Sequence, residues 1–249
     1  MYRVSVFKIE NSNLLGLAKH REYILYMNTI KINNLDIDIH DGPIGISLSG
    51  GADSSLLFYI LMKYASGPIH VFSCGNGNTN YHEPTSAMRV INYCVRKINQ
   101  KNIYFHSHLV EEKNIANMFS KELIDAHAIR ILYSGFTRPP PKGAIIDYDT
   151  NGSIAVGGVD HGTVLPNYWT NDNNELIQKI FGLPVGDKHP LYTPFINVNK
   201  QELAKIYSHL ELGELYSITR SCESLSLTTG HCGSCWWCKE RVWGFGYLD

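Results

Sequence analysis

Seven consecutive residues hold the first chemistry legible in this chain. Ser49-Gly50-Gly51-Ala52-Asp53-Ser54-Ser55 lies between a strand-length apolar run, Ile44 to Leu48, and an apolar helix-like segment, Ser54 to Tyr64. Paired glycines let the backbone turn sharply and bring amide hydrogens close to a bound anion. A helix beginning at that turn aims its free amides and positive dipole end at the same place. Ser49 and Ser54 add hydroxyl donors. A carboxylate would repel bare phosphate, so Asp53 is expected to hold Mg²⁺ or to fix the loop. The GxxxxGK[ST] pattern of a Walker loop is absent.

The second constellation is Cys222-x9-Cys232-x2-Cys235-x2-Cys238. Four soft ligands at this spacing suit tetrahedral Zn²⁺, with sulfur at ~2.3 Å. Protein fills every position, leaving none for water, so the expected zinc is structural and ties the C-terminus to the body. A redox CxxC is the competing reading of the same spacing. Cys74 and Cys94 stand apart and read as ordinary buried thiols.

The elements that must position these residues alternate. Residues 1–41 are β-rich, with Ile30, Ile32, Leu35, Ile37 and Ile39 close to period two and Asn33-Asn34 as a turn. Strands at 44–48, 69–73 and 102–109 alternate with helices at 54–64, 83–97 and 114–132, which predicts a parallel sheet with crossover helices. Pro139-Pro140-Pro141 sits in a loop. Segments 144–147 and 153–156 flank a hairpin turn at Asp149-Thr150-Asn151-Gly152. Helices are expected at 174–181 and at 200–210, the latter with Asn199 as N-cap and Glu202 completing a capping box. The divisions read from this pattern are an N-terminal extension (1–41), an α/β domain (42–212) and a zinc-binding segment (213–249).

Composition removes several function classes. With 44% hydrophobic and 18% charged residues the chain is too apolar for disorder. Its 22 Lys plus Arg against 23 Asp plus Glu lack the basic excess of a dedicated nucleic-acid binder. No apolar run approaches the ~20 residues of a membrane span, and MYRVSVFKIE lacks the apolar run expected of a signal peptide. Together with the cysteine cluster, these features point to reducing cytoplasm.

SGGADS after the first strand of the α/β region resembles the SGGxDS loop of the N-type ATP pyrophosphatases, which cleave ATP between its α and β phosphates. Joined to Cys222-x9-Cys232-x2-Cys235-x2-Cys238 and then Lys239-Glu240-Arg241-x2-Gly244-Phe245, it resembles the 7-cyano-7-deazaguanine synthase family of queuosine biosynthesis. That family makes a deazapurine nitrile from a carboxylate, ammonia and ATP. Val71-Phe72-Ser73-Cys74-Gly75 with Glu83, Gly157-Gly158-Val159-Asp160, and Tyr192-Thr193-Pro194-Phe195 follow its order, so the resemblance covers about residues 43–246. The first forty residues lie outside it. Leu165-Pro166-Asn167-Tyr168-Trp169-Thr170 stands where the family has Tyr-Pro-Asp-Cys-Arg, and Arg220 replaces a Trp found before the first zinc cysteine in many members.

The resemblance implies a Rossmann-like sandwich of the adenine nucleotide α-hydrolase type, with ATP, Mg²⁺ and structural Zn²⁺ as cofactors. Its nucleotide site would comprise Ser47, Leu48, Ser49, Gly50, Gly51, Ala52, Asp53, Ser54, Phe72, Cys74 and Gly157. Asp53 and Lys200 are the catalytic candidates, Lys200 capping the leaving pyrophosphate. Asp160, His161 and Tyr168 are the candidates for the acceptor site. The expected reaction adenylates a small carboxylate or amide and then aminates it. Expected partners are the small-molecule substrate and ammonia, a homodimer fits the resemblance, and nucleic acid and membrane are disfavoured. The rival readings are an RNA-modification enzyme on the same fold and a nucleotide-binding module without catalysis.

Overall fold

A computed structural model describes residues 27–76, 81–98, 102–110, 122–126, 128–148, 154–157, 165, 167–169, 191–222, 224 and 230–248. The first described elements form a hairpin, β1 (Met27–Ile32) and β2 (Leu35–His40), in register from Met27↔His40 to Ile32↔Leu35, the earlier part of the β-rich 1–41 extension lying outside the described residues. Asn33 takes a positive φ of 53° at the turn, a conformation asparagine tolerates better than most residues. The alternating isoleucines carry the packing, since Ile32, Ile37 and Ile39 all join the main core. Two tyrosine hydroxyls fasten the hairpin to the body. Tyr133 Oη donates to Asp38 O and accepts from His40 N, and Tyr192 Oη accepts from Asp38 N.

The expected α/β alternation follows. β3 (Ile44–Ser47), α1 (Ala52–Tyr64), β4 (Ile69–Asn76), α2 (Glu83–Ile98) and β5 (Ile103–Val110) succeed one another, and β6 (Leu132–Ser134) then returns to the far side of β3. β7 (Ile145–Tyr148) and β8 (Ile154–Gly157) form a separate antiparallel pair. β9 (Tyr168–Trp169) and β10 (Leu191–Tyr192) close the sheet edge, and α3 (Lys200–His209), α4 (Gly213–Ile218) and α5 (Trp236–Phe245) complete the described chain. The sheet order is β5-β4-β3-β6-β10-β9, parallel through β10 with β9 antiparallel at the edge. This is the α/β Rossmann-like architecture with a parallel sheet and helices. One continuous core unites the hairpin's isoleucines, the sheet, α1, α2 and residues of α3 and α4, with Phe245 of α5 packed against it.

Two expectations need correction. The helix expected over 114–132 does not reach its end: residues 122–125 are helical, 128–131 are irregular, and Leu132–Ser134 form a buried strand between β3 and β10. A three-residue strand is too short to show a period, and its apolar start reads equally well as the last turn of a helix. The resemblance sets Gly157 in the family's glycine-rich turn after the fourth strand of the sheet. Gly157 instead ends β8, opposite Ile145 in the two-stranded unit, and Gly135 follows the fourth parallel strand. The hairpin itself stands, one residue later than expected. The turn at 149–152 and the expected helix at 174–181 lie outside the described residues.

Candidate functional site

The glycine turn lies where the sheet changes direction. Ser47 ends β3 with Phe72 of β4 on one side and Ser134 of β6 on the other. Connections after β3 build outward one way through β4 and β5, and those after β5 build the other way through β6 and β10. Open α/β sheets bind ligands in the crevice such a reversal opens at the carboxyl ends of the strands. Ser47 is exposed there. Leu48 and Ala52 send their side chains into the core, and the Leu48 amide is spent on Phe72 O at 2.8 Å. Phe72 is buried and Cys74 half-buried farther along β4.

Within the loop, hydrogen bonds among the serines set the curve. Ser49 N and Gly51 N donate to Ser54 Oγ (3.3 Å) and Ser49 Oγ (3.2 Å), the two hydroxyls lie 3.1 Å apart, and Ser54 Oγ donates to Gly51 O at 3.3 Å. Gly50 requires its missing side chain twice over. Its φ is +83°, and a Cβ would fall 2.4 Å from Ser86 Cβ on α2. Gly51 is the N-cap of α1 and supplies no side-chain cap, so the helix's first amides face the turn without an intrahelical acceptor. Gly135 lies against the Ser54 backbone on the opposite wall.

Asp53 and Lys200, far apart in sequence, form an ion pair, and Thr137 Oγ1 donates to the same Asp53 Oδ2 at 3.0 Å. Asp53 Oδ1 is buried with no hydrogen-bond partner. An orphaned carboxylate oxygen beside a phosphate-type loop is the hard donor Mg²⁺ takes, the remaining positions going to water and phosphate oxygens. Lys200 starts α3, whose capping box is formed as expected: Asn199 accepts from Glu202 N at 3.0 Å, and Glu202 accepts from Asn199 N at 2.9 Å. Its ammonium is buried, with Glu240 Oε2 3.8 Å away. Burial pulls the Lys200 pKa down, but Asp53 and Glu240 outweigh it and hold it above the ordinary value. Burial pushes the Glu240 carboxyl up, against the opposing pull of Lys200.

The four cysteines converge. Their sulfurs all lie within 4.8 Å of one another, with Cys232 and Cys238 3.9 Å apart and Cys222 and Cys235 4.0 Å apart. Tetrahedral Zn²⁺ with sulfur at ~2.3 Å requires sulfur–sulfur spacings of about 3.8 Å. Amides of Ser224 and Cys232 donate to Cys222 Sγ, and the Cys235 amide and Ser234 hydroxyl donate to Cys232 Sγ. Such donors favour thiolate over thiol, so the cluster fits a zinc knuckle. It lies next to the phosphate-type loop in structure as well. Arg220 N donates to Gly50 O at 2.8 Å, and the buried Arg241, over the Tyr216 ring at 3.8 Å, donates to Thr219 Oγ1 and Tyr216 O.

Of the acceptor candidates, Asp160 and His161 lie outside the described residues. Tyr168 is placed by its backbone alone, in edge strand β9 opposite Tyr192. Thr137 and Glu240 are site residues that sequence reasoning missed. Glu240 stands within the Lys239-Glu240-Arg241 run that carries the resemblance, but nothing there assigns it to the site, because a charged residue on a short helix is ordinarily solvated. Among the described residues, no helix is long and apolar enough to cross a membrane.

Residues 39–127 match the family model of asparagine synthase, a PP-loop domain related to the N-type ATP pyrophosphatases. The match takes in the loop, α1, β4, α2 and β5, and it supports ATP-dependent amidation or ligation in coarse outline. Lys200, Glu240 and the cysteine cluster lie outside it. No curated protein matches the chain.

Proposed function

We propose that the chain is an ATP-dependent carbon–nitrogen ligase that adenylates a small carboxylate or amide and then aminates it, in the manner of 7-cyano-7-deazaguanine synthase. The observation that carries this reading is the orphaned Asp53 Oδ1 beside the free amides of α1 at the switch point of the sheet. The asparagine synthase match over the same loop supports it. The proposal includes the three sequence divisions, a small-molecule acceptor, ammonia, a homodimer and a cytoplasmic setting.

In the proposed reaction the acceptor carboxylate attacks the α-phosphorus of ATP, pyrophosphate leaves, and ammonia displaces AMP from the acyl-adenylate to give an amide. The amide oxygen then attacks a second ATP, and loss of AMP with the two N–H protons leaves the nitrile. This chemistry needs alignment and charge neutralisation more than a protein nucleophile. The amides and hydroxyls of Ser49, Gly50, Gly51 and Ser54 hold the departing pyrophosphate. Asp53 would hold Mg²⁺, which supplies neutralising charge to the phosphates. Lys200 contributes a second cation from α3. Ser47 and the backbone of Phe72 and Cys74 line the adenine side, and Asp160, His161 and Tyr168 are the proposed acceptor residues. Gly157, at the end of β8, is kept as a proposed nucleotide contact.

The test uses zinc-analysed protein with MgATP, 7-carboxy-7-deazaguanine and ammonium, with products resolved by mass. AMP, pyrophosphate and the nitrile are expected, and all three disappear in Asp53→Ala. AMP without the nitrile would retain the ATP chemistry and discard the deazapurine. ADP and phosphate would contradict the reading.

A further inference from the structure

Lys200 lies between two carboxylates from distant parts of the chain. Asp53 comes from the first turn of α1, and Glu240 comes from α5, directly behind the last cysteine of the cluster. Lys200 and Glu240 are 6% and 4% exposed. Among the described residues these are the two acidic groups ion-paired to the ammonium, one in direct contact and the other at 3.8 Å. The close crossing that brings α5 over α3 depends on Gly244, where a Cβ would fall 2.2 Å from Lys200 Cβ. A buried carboxylate 3.8 Å from an already paired lysine shares the ammonium with that first partner. Its use comes when the first partner's hold is weakened, because breaking a buried ion pair from one side leaves an uncompensated buried charge unless another partner stands ready.

The proposed reaction weakens that partner's hold, since Mg²⁺ on Oδ1 draws on the same single negative charge that Oδ2 offers Lys200. We infer that Glu240 is a positioning residue that receives the Lys200 ammonium when a metal–nucleotide takes Asp53, keeping it charged and within reach of the phosphates. This inference rests on the ATP-site reading above and adds a residue that the family match does not cover. Without Glu240 the ammonium stays on Asp53 and competes with the incoming cation. Once displaced, it would be left buried and unpaired.

The test is a calorimetric titration of MgATP into zinc-loaded wild type, Glu240→Gln, Glu240→Asp, Lys200→Met and the Lys200→Met/Glu240→Gln double variant. Glu240→Gln should weaken MgATP about tenfold. Glu240→Asp should recover most of that loss, and Glu240→Gln should cost nothing further once Lys200 is methionine. ATP without magnesium should bind wild type and Glu240→Gln alike, because no cation then contests Asp53. An undiminished affinity in Glu240→Gln, or the same loss with Lys200 absent, would overturn the inference and leave the ATP site standing. No binding of MgATP by the wild type would overturn both. Loss of zinc or of cooperative unfolding in both Glu240 variants would assign the residue to folding and overturn the relay.

Discussion

Asp53 has one oxygen committed and one open. Oδ2 is taken by Thr137 and Lys200, while Oδ1 is buried without a partner, an arrangement that costs about 1–3 kcal/mol unless a ligand uses it. Asp53→Asn is therefore expected to weaken MgATP at least about tenfold while costing only about 1 kcal/mol of stability, since Glu240 stands ready to take the Lys200 ammonium. Titration calorimetry and urea unfolding read the two effects separately. His40, at the end of the N-terminal hairpin, makes an independent prediction about pH. Burial lowers its pKa from 6.5 to about 4; Asp38 and Asp41 oppose the shift, and Arg130 adds to it. The unfolded chain binds the proton more readily than the folded one between those values. The stability linked to the neutral ring is thus complete above about pH 6.5 and is lost as pH falls to about 4, to a total of roughly 3 kcal/mol. Urea midpoints at pH 7 and pH 4.5 should differ less in His40→Leu than in the wild type. An unchanged pH slope would contradict this assignment.

The elements of the site differed sharply in how far the sequence revealed them. The glycine turn was legible because its residue types, an apolar strand before it and an apolar helix after it all indicate the same geometry. The capping box at Asn199 and Glu202 was equally plain, since its signal is confined to four residues. β6 was not legible, because a three-residue strand buried by its neighbours has no periodicity to detect, and with it went the switch point and Gly135. Glu240 and Thr137 are functional only through contacts made across the fold, which a single sequence does not record. Two substitutions probe the elements that were found. Gly50→Ala must strain a φ of +83° and push α2 away, so it should lower stability by more than about 1 kcal/mol and abolish MgATP binding. Tyr133→Phe removes the hydroxyl that serves both Asp38 O and His40 N, and should cost about 1–3 kcal/mol without changing nucleotide affinity. Thermal or urea unfolding alongside the MgATP titration separates the two outcomes.

Across the whole molecule, the cysteine cluster and the phosphate-type loop behave as one construction. Arg220 N reaches Gly50 O just before the first cysteine, and Glu240 reaches Lys200 just after the last. Zinc that orders the cluster would order both contacts, so binding of metal and nucleotide should be coupled in both directions. Removing zinc with a chelator is expected to lower both the unfolding temperature and MgATP affinity, and saturating MgATP should slow zinc release. A zinc-free protein that binds nucleotide at full strength would show the cluster to be a separate staple. The central claim is narrower: MgATP sits on the turn from Ser49 to Ser54. Amide hydrogen exchange with and without MgATP tests it most directly. The account predicts slower exchange over Ser49–Ser55 and at the start of α3, lost in Asp53→Asn. Protection confined to other segments, or protection over the turn that survives Asp53→Asn, would contradict it.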